Sequence, residues 1–277
     1  MPLHRFRRRS LAAALALVGA LAVGAAAPGT AAPAAPRAAV VPPDAAPAAP
    51  VAIRLGAQFR RGVRLGQSTP LWVTLAIPRS SPSPVASINL RYPASLGIAT
   101  SGLGLASCDK APLGKRGPRG CSPNAVMGDG TAIVQARPYN LFESAAVTLL
   151  AAPVRQGHLG LLAYADGELP VGIQLVYTGE LGDAPAPFGG DIHVDLPQVP
   201  DLPPDTAVAL LRLRLVIGPR TLRYYDGRVA YHPEGIVLPD RCPRGAFPFR
   251  ADVGFLDGTS ATTRIRVACP PAPAFRR

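Results

Sequence analysis

Ala207-Val-Ala-Leu-Leu-Arg-Leu-Arg-Leu-Val-Ile217 is the stretch whose reading decides the fold. In an extended chain successive side chains point to opposite faces, so Ala209, Leu211, Leu213, Leu215 and Ile217 make an unbroken apolar row. Val208, Leu210, Arg212, Arg214 and Val216 make the other row, which carries both cations. The pattern predicts a strand with the first row in the core. Ala, Leu and Arg favour helices on propensity alone, so a short helix over 207–215 is the competing reading. The same alternation, less cleanly, sets Ile173, Leu175 and Tyr177 against Gln174, Val176 and Thr178.

Working outward, similar strand signals cover 51–59, 71–77, 85–92, 131–137, 145–151, 158–164, 171–177, 191–196, 228–232, 249–255 and 262–268. Gly, Pro, Asp and Ser clusters separate them at short intervals, as in an all-β domain rather than in alternating strands and helices. Asp129-Gly130, Asp166-Gly167, Asp226-Gly227 and Asp257-Gly258 each place a hairpin dipeptide between apolar runs. The expected fold is an antiparallel β-sandwich, immunoglobulin-like or jelly-roll-like, occupying 51–270 as a single domain. Trp72, within an apolar run, is expected in its core.

Before this domain, Arg5, Arg7, Arg8 and Arg9 form a basic head, followed by an uncharged apolar run from Leu11 to Ala27. That is the layout of a cleaved secretory signal over 1–27, with an uncleaved anchor as the alternative. Arg8-Arg9-Ser10-Leu11 also loosely fits a twin-arginine signal. Residues 28–50 are nearly all Ala and Pro with only Arg37 and Asp44 charged, a composition expected to form a disordered linker. Residues 271–277 are expected to be a flexible tail. The localisation implied is secreted or cell-envelope.

Four cysteines in an exported chain fit two disulfides, and three pairings exist on paper. Cys108 with Cys121 and Cys242 with Cys269 are favoured, because each pair closes a local loop rich in turn residues. Loop-closure entropy assigns these bridges about 3 and about 3.6 kcal/mol. There is no Cys-x-x-Cys, and only His232 approaches a cysteine, so no metal site is expected.

The chain has 29 Lys plus Arg against 17 Asp plus Glu, and removing the four arginines of the leader leaves 25 cations. Arginine supplies 27 of the 29, a bias that fits a GC-rich genome as well as it fits an anionic partner. Lys110, Lys115, Arg116 and Arg119 concentrate within the first proposed disulfide loop. Such a loop suits an anionic wall polymer, phospholipid headgroups or DNA, or is simply a solvated loop. It holds no aromatic residue, so it offers no stacking platform for single-stranded bases.

No Gly-x-Ser-x-Gly elbow, phosphate-cradling loop or His-Glu-x-x-His is present, and no cofactor is implied. The best catalytic candidate is Asp191-Ile-His193-Val-Asp195, where alternation puts an imidazole between two carboxylates on one strand face. A solvated polar face has the same pattern. Tyr224 and Tyr225, with Arg220, Arg223, Arg228, Tyr231 and His232 around them, are a candidate glycan-binding surface or ordinary cross-strand packing.

The block Tyr231-His-Pro-Glu-Gly-Ile-Val-Leu-Pro-Asp-Arg-Cys-Pro-Arg-Gly-Ala-Phe-Pro-Phe249, with Asp257-Gly-Thr259 and Cys269-Pro270, resembles a family of uncharacterised exported proteins from high-GC actinobacteria. The likeness continues at Gly102-Leu-Gly104, Cys108, Cys121-Ser-Pro-Asn124, Tyr164-Ala-Asp-Gly167 and Phe188-Gly-Gly190. The resemblance implies export and a disulfide-bearing all-β fold, and no activity or ligand. The functional expectation is a non-catalytic binding or structural module of the envelope or exterior. A secreted hydrolase of wall glycan or lipid, working through Asp191, His193 and Asp195, is the alternative.

Overall fold

The computed structural model describes residues 51–98, 106–137, 139–168, 172–199, 207–218, 224–226, 229–231 and 235–272. The expected leader and linker lie outside them. In chain order the elements are β1 (Arg54–Phe59), β2 (Ser68–Thr69), β3 (Leu71–Ala76), β4 (Val85–Pro93), β5 (Gly97–Ile98) and helix α1 (Lys110–Arg116). Then come β6 (Val126–Arg137), β7 (Leu141–Arg155), β8 (His158–Gly167), β9 (Ile173–Gly182), β10 (Phe188–Asp195) and β11 (Ala207–Ile217). The last are β12 (Tyr224–Asp226), β13 (Val229–Tyr231), β14 (Ile236–Val237), β15 (Phe247–Phe255) and β16 (Ser260–Val267).

The protein is all-β and antiparallel, but it does not divide into the two facing sheets of the expected sandwich. Eleven strands join in one sheet, ordered β1-β3-β11-β6-β7-β8-β9-β10-β4-β15-β16. Its edge strands β1 and β16 come into contact, so the sheet curls into a nearly closed barrel. The physical reason is accumulated twist, since strongly twisted open sheets beyond about ten strands curl, split or flatten. Short β2, β14 and β5 form a separate three-stranded sheet, and β12 pairs with β13.

β11 is a strand, and Ala209, Leu211 and Ile217 of its expected core row are buried, but Ala209 and Leu211 do not line the interior. A bulge lies between Leu210 and Arg212, where the register with β6 shifts by one. An extra residue inverts which side chains face inward. Val208 and Leu210, then Leu213, Leu215 and Ile217, therefore face the interior, while Arg212 and Arg214 face out. Asp129-Gly130 is also corrected, from a hairpin turn to the middle of β6, paired with Val216 and Leu215 of β11. Gly130 is needed there for close approach, because a Cβ would meet the Arg214 carbonyl. Asp257-Gly258 does form the β15–β16 turn, with Gly258 at φ +80°.

The interior is packed unevenly. On the side of β1, β3, β4 and β15, the inward row of β15 places Phe247, Phe249 and Val253 at zero exposure. Phe59 meets Phe247 edge to face, with ring centroids 5.2 Å apart. At the end where β15 begins, Val63, Leu65, Leu96, Ile236 and Leu238 are buried in the same cluster and form a floor. Outside the barrel, α1 lays Leu113 over Leu150, Leu162 and Tyr164 of β7 and β8, a second small core.

Disulfides Cys108–Cys121 and Cys242–Cys269 are formed, the pairing favoured by loop closure. The first holds α1 against β7, where the Cys108 N–H donates to the Ala151 carbonyl at 2.8 Å. The second ties the segment before β15 to the end of β16. Order continues past Pro270, because the Leu65 N–H donates to the Pro271 carbonyl and Arg64 to that of Ala272.

Candidate ligand-binding lumen

Eight antiparallel strands enclose an interior that side chains just fill, so eleven leave a wider one. Large residues fill it beside β15. Opposite, the inward rows of β6, β7 and β8 are lined by Ala132, Ala136, Ala145, Ala163 and Ala165, which are too short to reach across. The result is a cavity of about 370 Å³ with walls of Leu, Val, Ile and Ala. Apolar cavities of about 150 Å³ already stay dry and take up benzene. The floor described above closes one end. The other end is rimmed by Tyr139 and Leu141 of the β6–β7 hairpin, 63% and 37% exposed, and by Gln198 after β10.

Among the described lining residues one side chain is charged, Glu143 of β7. It stands on the inward row between Leu141 and Ala145, and its Oε1 is buried without a hydrogen-bond partner among the described residues. Its carboxylate lies against Gly167 at the end of β8, where a Cβ would overlap it. Burial raises the Glu143 carboxyl above its ordinary value, because an apolar surrounding disfavours the charged form. Tyr177 of β9 also lines the lumen, and burial raises its phenol.

Asp191, His193 and Asp195 face outward from β10, away from this lumen. His193 Nε2 lies 3.1 Å from Asp195 Oδ1, and Asn89 Nδ2 donates to Asp191 Oδ2 at 3.0 Å. The His193 and Asp195 side chains are 36% and 68% exposed on an open sheet face. The same face continues to Asp252 of β15, which accepts from Arg250 at 2.7 Å and from Thr262 at 2.6 Å, with Arg91 at 3.8 Å. Burial alone would raise the Asp252 carboxyl, but these hydrogen bonds and the Arg250 and Arg91 charges outweigh it and hold it low. Among the described residues no group of three or more His, Cys, Asp or Glu is placed to hold a metal ion.

Lys110, Lys115, Arg116 and Arg119 are all exposed on the disulfide-bound loop that carries α1. Ser107 and Lys110 have the spacing of a Ser-x-x-Lys pair, and both are exposed rather than set in a cleft. Tyr224 and Tyr225 lie in β12, in register with Tyr231 and Ala230 of β13. Arg220, Arg223, Arg228 and His232 lie outside the described residues. Trp72 is corrected from the core to the outer face of β3, half-buried in a shallow groove with Thr74, Asp129, Thr131 and Arg214.

Glu143 is the residue that reading the sequence missed. The expected strand began at 145, which left Glu143 outside it, although Leu141, Ala145, Val147 and Leu149 continue the alternation on either side. A lone carboxylate in an otherwise apolar inward row was the available signal. In comparisons with known proteins the chain matches no family model, no curated protein and no solved structure.

Proposed function

We propose that the chain is an exported, non-catalytic binding module that holds one apolar, lipid-like molecule in its barrel. The observation that carries this reading is the unfilled lumen, apolar along its walls and floored at one end. Its volume falls within the roughly 300–1,000 Å³ of small-molecule sites. The outward rows support a water-facing barrel: Arg212, Arg214, His193 and Arg250 stand where a membrane barrel would carry an apolar band. The two disulfides fit an oxidising compartment, and the family likeness favours the same address. The exposed cations around α1 supply attraction to an anionic wall polymer, by which the module is retained at the envelope.

The hydrolase reading draws less support, since the His193–Asp195 pair lies on an open face and the His193 ring meets a carboxylate rather than a nucleophile. The test is a titration of the secreted protein with the neutral dye N-phenyl-1-naphthylamine. One saturable, blue-shifted site is expected in the native chain, and its loss in Ala163→Phe, checked for cooperative melting. Emission that never saturates, or that Ala163→Phe leaves unchanged, overturns the proposal. Retention on isolated cell wall, lost when Lys115 and Arg116 are reversed in charge, tests the anchoring role.

A further inference from the structure

We propose that Glu143 selects the polar end of the lumen's ligand, so that the bound molecule is an amphiphile ending in a hydrogen-bond donor, a hydroxyl or an amine. This deepens the reading of the lumen as an apolar binding site and rests on it. The position of Glu143 sets the ligand's orientation. It lies near the open end, two residues from the rim residue Leu141, while the walls toward the floor are aliphatic. A chain enters with its apolar end toward Met127 and Ile217 and leaves its head beside Glu143.

The chemistry of that head follows from what Glu143 lacks. The Glu143 carboxylate has no donor among the described residues: its Oε1 is packed against Gly167, and a donor brought into the lumen supplies the hydrogen bond that the carboxylate lacks. An ionised carboxylate accepts hydrogen bonds and donates none, so a hydroxyl or ammonium head completes it. A fatty acid would instead set a second carboxylate against the first in a medium that screens poorly. Gln198, the amide at this end, already uses its side-chain carbonyl to accept from the Val208 N–H at 3.3 Å. Gly167 keeps the carboxylate in place by offering no side chain where it lies.

The experiment is displacement of N-phenyl-1-naphthylamine at about pH 8 by three ligands of equal chain length: a primary alcohol, a primary amine and a carboxylic acid. The alcohol and amine are expected to bind about tenfold or more tighter than the acid, the value of one charge-assisted hydrogen bond. Glu143→Gln is expected to bring the three within about threefold, chiefly by improving the acid. Gly167→Ala keeps the charge but displaces the carboxylate, so it is expected to erode the same preference, and both variants are checked by melting. Equal displacement by all three, unchanged in Glu143→Gln, overturns the assignment of Glu143 and leaves the lumen reading standing. No displacement by any of them, with no saturable dye site, overturns both.

Discussion

Ala163→Leu is expected to stabilise the protein, whereas Ala125→Leu is expected to destabilise it. Both positions are alanines beside apolar neighbours, but Ala163 borders the lumen and Ala125 is fully buried under α1. Leucine adds three carbons. In the lumen they replace empty or water-filled space, and at about 0.8 kcal/mol per buried CH₂ the gain is about 2.4 kcal/mol. In the cluster around Leu113 and Leu150 there is no space for them, and overpacking costs about 1–3 kcal/mol. For a domain of this size each kcal/mol moves Tm by about 2–4 °C, so the two variants should diverge in opposite directions by several degrees each. Differential scanning calorimetry of the two variants beside the native chain measures this. Loss of stability in Ala163→Leu comparable to that in Ala125→Leu would mean that the space beside β8 is already filled.

Three more outcomes follow from the charged groups and the bridges. Burial raises the Glu143 carboxyl, so the folded chain holds that proton more tightly than the unfolded one; below the ordinary glutamate value of about 4.3 this costs nothing, and the penalty grows as pH rises through the raised value. Glu143→Gln should therefore raise Tm at neutral pH and leave it unchanged in acid, and a Tm difference constant from about pH 3.5 to 8 would contradict this. Asp252 is held low by Arg250 and Thr262, so its contribution is present above the ordinary aspartate value and fades as pH falls through the lowered one. Asp252→Asn should cost about 1–2 kcal/mol at neutral pH by urea unfolding, and the cost should shrink in strong acid. Replacing Cys108 and Cys121 together by Ala should cost about 3 kcal/mol and loosen α1, read as faster amide exchange around Leu113 than around Phe249.

The strands were legible because alternation is local: β3, β15 and β16 fall where apolar side chains recur at every second position. The two bridges were legible because each closes a short loop. What depends on distant pairing was not. Whether eleven strands split into two sheets or curl into one is decided by the approach of β1 to β16, some two hundred residues apart in sequence. The bulge at Leu210 and Arg212 is equally hidden, since the extra residue exists only relative to β6. Asp129-Gly130 carries a turn signature, yet its glycine serves the passage of a neighbouring backbone. The face of Trp72, by contrast, was available locally, since alternation sets it in one row with Thr74 and opposite Leu71, Val73 and Leu75. The lumen arises from short side chains standing side by side on the adjacent strands β6 to β8, and no single segment announces that.

The most direct measurement is methyl NMR of the secreted protein titrated with decane, which has no head group and so reports the lumen alone. Methyls of Val147, Leu175 and Val194, which line the cavity, should shift together and saturate at one equivalent, while those of Val253 in the packed half stay fixed. Shifts scattered over surface methyls, or none at all, would contradict an open apolar interior.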